Sequence, residues 1–189
     1  AEIKISVGEG KWRRKGDKFL KIKLTGVENE ENILVAEAVK KTWEEIGIKV
    51  VIENVMADAI SGEVVKPRNF EALLYGQVMG SDPDSYAFWH SSQISENGLN
   101  IPGFSNKEVD VLLEDGRLSL KTEERKEKYK KFQEIITNEV PAIFLYSPFY
   151  IYAQNKKIKG FNSEIIFSPK DRFSGISDWH VKTKKKFVW

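Results

Sequence analysis

Asp82, Pro83 and Asp84 bring two carboxylates within three residues, shortly after an apolar run that ends at Tyr75. Open α/β sheets place ligand crevices at the carboxyl ends of their strands, so a carboxylate pair here could act on a ligand or hold one. Two-carboxylate glycoside hydrolysis or calcium binding would need more acids nearby, and residues 77–104 add only Glu96. The competing reading is a capped turn, with Asp82 ahead of Pro83 at the start of a short helix. Tyr86, Phe88, Trp89 and Phe104 crowd the same stretch, either as walls of a site or as core beneath a loop.

Other catalytic patterns are missing. His90 and His180 are the two histidines and lie far apart in the chain. With no cysteine, a zinc site would have to lean on carboxylates, so neither a metal nor a cofactor is expected. There is no G-x-S-x-G elbow and no G-x-x-x-x-G-K-[ST] phosphate loop. Gly8-Glu9-Gly10-Lys11 lacks the loop spacing and a following helix, and reads as an exposed turn. These residues point to binding and not to an enzyme.

The elements that would position them start with residues 19–25, FLKIKLT, whose alternation sets Leu20, Ile22 and Leu24 against Lys21 and Lys23 as a half-buried strand. A helix of about four turns follows, capped by Asn29, with Glu30 and Glu31 at its positive end and Gly47 as its stop. Its apolar stripe is Val35, Ala38, Val39, Thr42, Trp43 and Ile46. Residues 48–53, IKVVIE, complete a βαβ unit with parallel strands.

Residues 54–69 read as irregular and end in Lys66-Pro67-Arg68. FEALLY at 70–75 is a third and more apolar strand, expected at the sheet centre. The long segment 77–104 is too aromatic for a disordered tether and is expected to be functional. Ser105 and Glu108 form a capping box ahead of Val109, Leu112 and Leu113. Thr122 caps a further helix with the stripe Tyr129, Phe132, Ile136 and Val140, closed by Pro141. The run 142–153, AIFLYSPFYIYA, reads as buried strand broken at Pro148. The basic tail from Lys182 to Lys186 reads as a solvated end.

The chain has 189 residues, 41% hydrophobic and 31% charged, enough for one full-sized domain with its own core. Thirty basic residues against 28 acidic ones give a net charge of +2, which argues against a nucleic-acid partner. No apolar run approaches the ~20 residues that a membrane-spanning helix needs. Residues 1–18 contain no hydrophobic signal core.

A series of segments carries a resemblance. IKVVIENV, VVKPRNFEALLYGQ, SDPDSYAFWHSSQ, GLNIPGFSN, EVDVLLEDGR, EERKEKYKKFQEIITNEVPAIFLYSP and KIKGF resemble, in this order, the family 5 extracellular solute-binding proteins. These are the oligopeptide-, dipeptide- and nickel-type receptors of ABC importers. The likeness runs from about Phe19 to Phe161, with a weaker echo in the tail.

The resemblance implies an α/β fold of the periplasmic-binding-protein-like (type II) kind, a mixed sheet flanked by helices. It implies a two-lobed clamp that closes on a peptide or small-molecule ligand and docks on ABC permease subunits. It assigns residues 1–152 to the C-terminal lobe and 153–189 to the hinge return that completes a missing N-terminal lobe. That first lobe, with its export signal, is expected to precede these residues. The full-length protein would be extracytoplasmic, lipid-anchored or secreted. The implied ligand wall lies within 75–104, with Tyr75, Gln77, Met79, Asp82, Tyr86, Trp89 and Asn100 as its expected residues.

Two departures bear on specificity. Peptide-binding relatives carry a Trp directly after the third strand and an Asp three residues later, which receives the ligand's ammonium. Gln77 and Gly80 stand at those positions. Either Asp82 takes over the ammonium, or the ligand is uncharged there.

Overall fold

The computed structural model describes residues 12–80, 82–162 and 166–182. Gly8–Lys11 and all of the basic tail after Lys182 lie outside the described residues. The chain opens with a small antiparallel ribbon, β1 (Arg14–Lys15) and β2 (Lys18–Phe19), turning at Gly16, whose φ of 59° suits a residue without a side chain.

Strand β3 (Lys21–Val27), helix α1 (Glu30–Glu45) and strand β4 (Lys49–Val55) form the expected βαβ unit. β3 and β4 pair in parallel over seven residues, from Lys21 beside Lys49 to Val27 beside Val55. The Asn29 side chain accepts from the Asn32 N–H at the start of α1, and Gly47 leaves the helix with φ 84°. The buried face of α1 is rotated from the stripe read in the sequence. Ala36, Val39 and Trp43 pack on Leu24 and Val50, whereas Ala38 and Thr42 are exposed.

The third strand corrects the sequence reading twice. β5 is reduced to Ala72–Leu73, and it lies at an edge, in the order β4-β3-β5. The Glu71 carboxylate accepts from the Lys23 N–H at 2.6 Å, taking the donor that an earlier start of β5 would have used. Apolarity thus marks burial of β5 under the 60–65 segment, where Leu73 and Phe70 pack on Ile60, Val64 and Val65, and does not mark centrality. The three-stranded sheet is wholly parallel, and antiparallel pairs occur in separate ribbons. The fold is therefore α/β with strands of both senses.

A second, helical body follows. Short helix α2 (Tyr86–Trp89) packs with α3 (Lys107–Leu118) and α4 (Thr122–Glu139) around Trp89, Phe104, Val109, Leu113, Tyr129, Phe132 and Ile136. Asn106, not Ser105, caps α3, its side chain accepting from the Glu108 and Val109 N–H groups. Thr122 is the first residue of α4, preceded by Lys121, which gives no side-chain cap. Val140, expected on the buried stripe, is 59% exposed in a left-handed conformation before Pro141.

Arg68 ties the two bodies together. One of its guanidinium nitrogens, Nη2, donates to the Ser95 and Gly98 carbonyls at 3.3 and 3.0 Å. Gly98 is required there, because a Cβ would stand 1.9 Å from the Gln93 carbonyl oxygen.

The run 142–153 is not a strand and is not buried. Ile143 is 62% exposed, Phe149 96% and Ile151 88%. Its attachments include Ala142 against the helical core, a tilted contact of Phe144 with Trp89, a hydrogen bond from the Tyr146 hydroxyl to Glu31 and one from Arg172 to the Tyr150 hydroxyl. Residues 152–162 and 166–182 then fold on an aromatic cluster of Tyr152, Phe161, Phe173 and Trp179, closed by the ribbon β6 (Ile158–Lys159) and β7 (His180–Val181). Among the described residues no helix is long and apolar enough to cross a membrane.

Candidate functional site

The carboxyl ends of three parallel strands gather at Val27, Val55 and Leu73, the place where such sheets bind ligands. After β5 the chain continues without regular secondary structure through 74–80. The Leu74 N–H still donates to the Thr25 carbonyl, but among the described residues no main-chain group of 75–80 has a hydrogen-bond partner. Backbone polar groups are obligatory hydrogen-bonding groups, so an open row of them is a ready surface for another strand. Tyr75 and Gln77 are exposed, Val78 is 81% exposed, and Met79 is half-buried.

The other four expected residues are occupied inside the protein. Asp82 pairs with Arg125 on α4 and accepts from the Asp84 N–H. Asp84 pairs with Arg117 on α3 at 2.9 Å and accepts from the Tyr86 N–H. The carboxylates therefore fasten the turn ahead of α2 to both long helices; Asp82 closes that turn on the Asp84 N–H, but the helix N-cap is Ser85, not Asp82. The hydrogen bond from Arg125, helped by the Asp84 N–H, holds the Asp82 carboxyl below the usual carboxylate range despite some burial.

Tyr86 is sandwiched. His90 stacks on its ring at 4.1 Å and 19°, and the Arg117 guanidinium sits 4.3 Å from the same ring centre. Two groups this close must use opposite faces, so neither face is free for a ligand. Trp89 is 6% exposed, edge-on to Phe104 and tilted against Phe132. Its ring belongs to the core, the alternative that the aromatic content left open. Asn100 is fully buried. Its amide donates to the His90 and Phe104 carbonyls and its oxygen accepts from the Phe104 N–H, which folds residues 90–104 into one piece.

His90 works in the same structural way. Its Nδ1 accepts from the Ser92 N–H at 3.1 Å, so Nε2 carries the proton toward Glu114 at 3.2 Å. Two shallow surface depressions lie on the long helices, one between Leu112, Glu123 and Lys131 and one around Lys130 and Asn138; neither includes any residue of 75–104. Among the described residues no cluster of three metal-ligating side chains occurs. The sequence reading missed Arg117 and Arg125 as the partners of the two carboxylates, which nothing local to 82–84 signals.

The Asp82–Arg125 pair sets an acid dependence. A carboxylate with a depressed folded-state pKa adds stability above its unfolded value, and that stability disappears as pH falls through the folded value. Asp82→Asn should lower stability at pH 7 by about 0.2–1 kcal/mol, as for other exposed pairs. The difference should shrink as pH falls below the ordinary Asp value of about 3.9 and through the depressed folded-state value. Urea midpoints measured across that window check it; a difference that persists at the acid end would remove the ion pair as its cause.

No family model matches the chain. The oligopeptide-binding protein AppA of Bacillus subtilis is 28% identical over 173 residues, which are 91% of this chain and 31% of AppA. The probable D,D-dipeptide-binding periplasmic protein DdpA of Escherichia coli is 26% identical over 138 residues, 71% of this chain and 26% of DdpA. The structure of Bacillus subtilis AppA with a nonapeptide superposes with a TM-score of 0.71 at 23% identity, covering 94% of this chain and 35% of AppA. NikZ from Campylobacter jejuni, in complex with Ni(L-His), gives 0.68 at 23% identity, covering 95% of this chain and 36% of NikZ. The fold is thus that of type II periplasmic binding proteins. In sequence the chain is similar to these peptide-binding proteins of importers, as its resemblance to the family 5 extracellular solute-binding proteins led one to expect, and it spans about a third of AppA's length.

Proposed function

We propose that this chain is the C-terminal lobe of an ABC-importer receptor, and that it forms one wall of an inter-lobe cleft for peptides. The open main chain of 75–80 at the carboxyl end of β5 carries this reading. An extended peptide can add to such an edge through main-chain hydrogen bonds, with side-chain pockets alternating along it. Tyr75, Gln77 and Met79 are the flanking side chains. Asp82, Tyr86, Trp89 and Asn100 support the wall from behind. The ion pairing of both Asp82 and Asp84 favours a binder over a carboxylate hydrolase. It also favours a ligand that brings no free ammonium to this position.

The exposure of Ile143, Phe149 and Ile151 supports a division at about residue 152, with the rest of the clamp covering this run and 153–189 returning to the other lobe. The protein would act outside the cytoplasm, lipid-anchored or secreted, and deliver its ligand to permease subunits.

The test is an NMR titration of the labelled chain with a pool of short, N-acetylated peptides. One wall leaves the ligand half wet, so affinity should be weak, about millimolar or −4 kcal/mol. Shifts should concentrate on the amides of 75–80. Micromolar binding by this chain alone, or shifts confined to other residues, would overturn the one-wall reading.

A further inference from the structure

The net charge of +2 hides a concentration of cations at one end of the sheet. β1 and β2 set Arg14 beside Phe19 and Lys15 beside Lys18. The ribbon is joined to the start of the sheet by main-chain bonds. The Arg13 N–H donates to the Gly47 carbonyl, the Leu20 N–H to the Arg13 carbonyl, and the Lys49 N–H to the Leu20 carbonyl. Lys21 and Lys49 are register partners at the first rung of β3 and β4. Arg13, Arg14, Lys15, Lys18, Lys21 and Lys49 therefore meet at one edge, against Asp17 in the turn and Glu44 and Glu45 at the end of α1. The acids Glu28, Glu30 and Glu31 follow the opposite end of β3.

Among the described residues none of these six cations is in a salt bridge, which is equally true of Lys41, Lys66, Lys130 and Lys131. What separates this edge from an ordinary solvated face is the company its charges keep. The same edge also exposes large apolar side chains: Phe19 is 50% exposed, Leu20 41% and Ile46 49%. Unpaired cations around exposed aromatic and aliphatic groups match the two layers of a bilayer interface, anionic headgroups above the acyl boundary. A polyanion or an acidic peptide would use the charges and leave the apolar groups without a role.

We propose that the edge formed by β1, β2 and the first residues of β3 and β4 rests on an anionic lipid surface, with Phe19 and Leu20 entering the interface. The open main chain at 75–80 then faces away from the lipid, because it lies at the opposite end of the same parallel strands. This contact does not depend on the nature of the ligand.

The test is sedimentation of the 189-residue chain with neutral phosphatidylcholine vesicles and with vesicles carrying phosphatidylglycerol. Binding should be confined to the anionic vesicles and should weaken at high salt. Each cation near the surface contributes about a fivefold gain in partitioning, so reversing Lys15 and Lys18 to Glu should cost more than tenfold. Reversing Lys130 and Lys131 on α4 should cost little. The chain has no cysteine, so Phe19→Cys can carry a single environment-sensitive dye, which should shift to the blue on anionic vesicles. A dye at Leu118→Cys should not. Equal binding to neutral vesicles, no binding at all, binding to a soluble polyanion that displaces the vesicles without a dye shift, or insensitivity to both Lys reversals overturns the proposal. If the doubly reversed variant does not fold, the salt dependence and the two dyes still decide.

Discussion

Trp89→Ala should cost about 3–5 kcal/mol of folding stability, the usual loss when a large aromatic is removed from a core. The ring fills the centre of the helical body, against Phe104 at 6.2 Å and Phe132 at 6.5 Å, and Phe144 reaches it from the 142–153 run. A domain of this size has about 5–15 kcal/mol in total, so the variant should unfold at far lower urea concentration. Peptide contacts at 75–80, measured on the fraction still folded, should be unchanged. A Trp89→Ala protein of near-normal stability but lost ligand shifts would put the ring in the ligand wall instead of the core.

Asn100→Ala should be nearly as damaging although it removes only a small polar group. Three internal hydrogen bonds end on this amide, and the residue is completely buried. Truncation leaves the Phe104 N–H and the Phe104 carbonyl without partners, while the His90 carbonyl keeps the Gln93 N–H, at about 1–3 kcal/mol for each buried group left unsatisfied. The expected total is about 3 kcal/mol or more. The effect should also be local: hydrogen exchange at the Phe104 amide should quicken by orders of magnitude before exchange in β3 changes. Protection at Phe104 that survives the substitution would show that Asn100 is not what holds residues 90–104.

Much of the architecture was legible because local rules and tertiary packing agree. The alternation of β3, the Asn29 cap and the Gly47 stop define the βαβ unit without reference to anything distant. Val109 and Leu113 on α3, and Tyr129, Phe132 and Ile136 on α4, occupy the faces that their spacing indicates. Where two capping residues are adjacent, as at Ser105 and Asn106, the pattern alone does not decide which of them turns toward the helix.

The site was less legible, for a different reason. Asp82 and Arg125 are 43 residues apart, and nothing local to 82–84 records that Arg117 and Arg125 will arrive there. An aromatic in a long loop has the same composition whether it lines a cleft or fills a core, and Trp89 fills one. The 142–153 run shows the limit of apolarity as a signal. It reports that a segment avoids water, and the partner that excludes the water can lie beyond the residues at hand.

The free amides and carbonyls of 75–80 carry no information about side-chain identity in whatever they pair with. If the proposed peptide contact runs through them, it is tuned first to the repeat of a partner's backbone and only second to the order of its letters. Proline is then barred from every position of 75–80 that must donate.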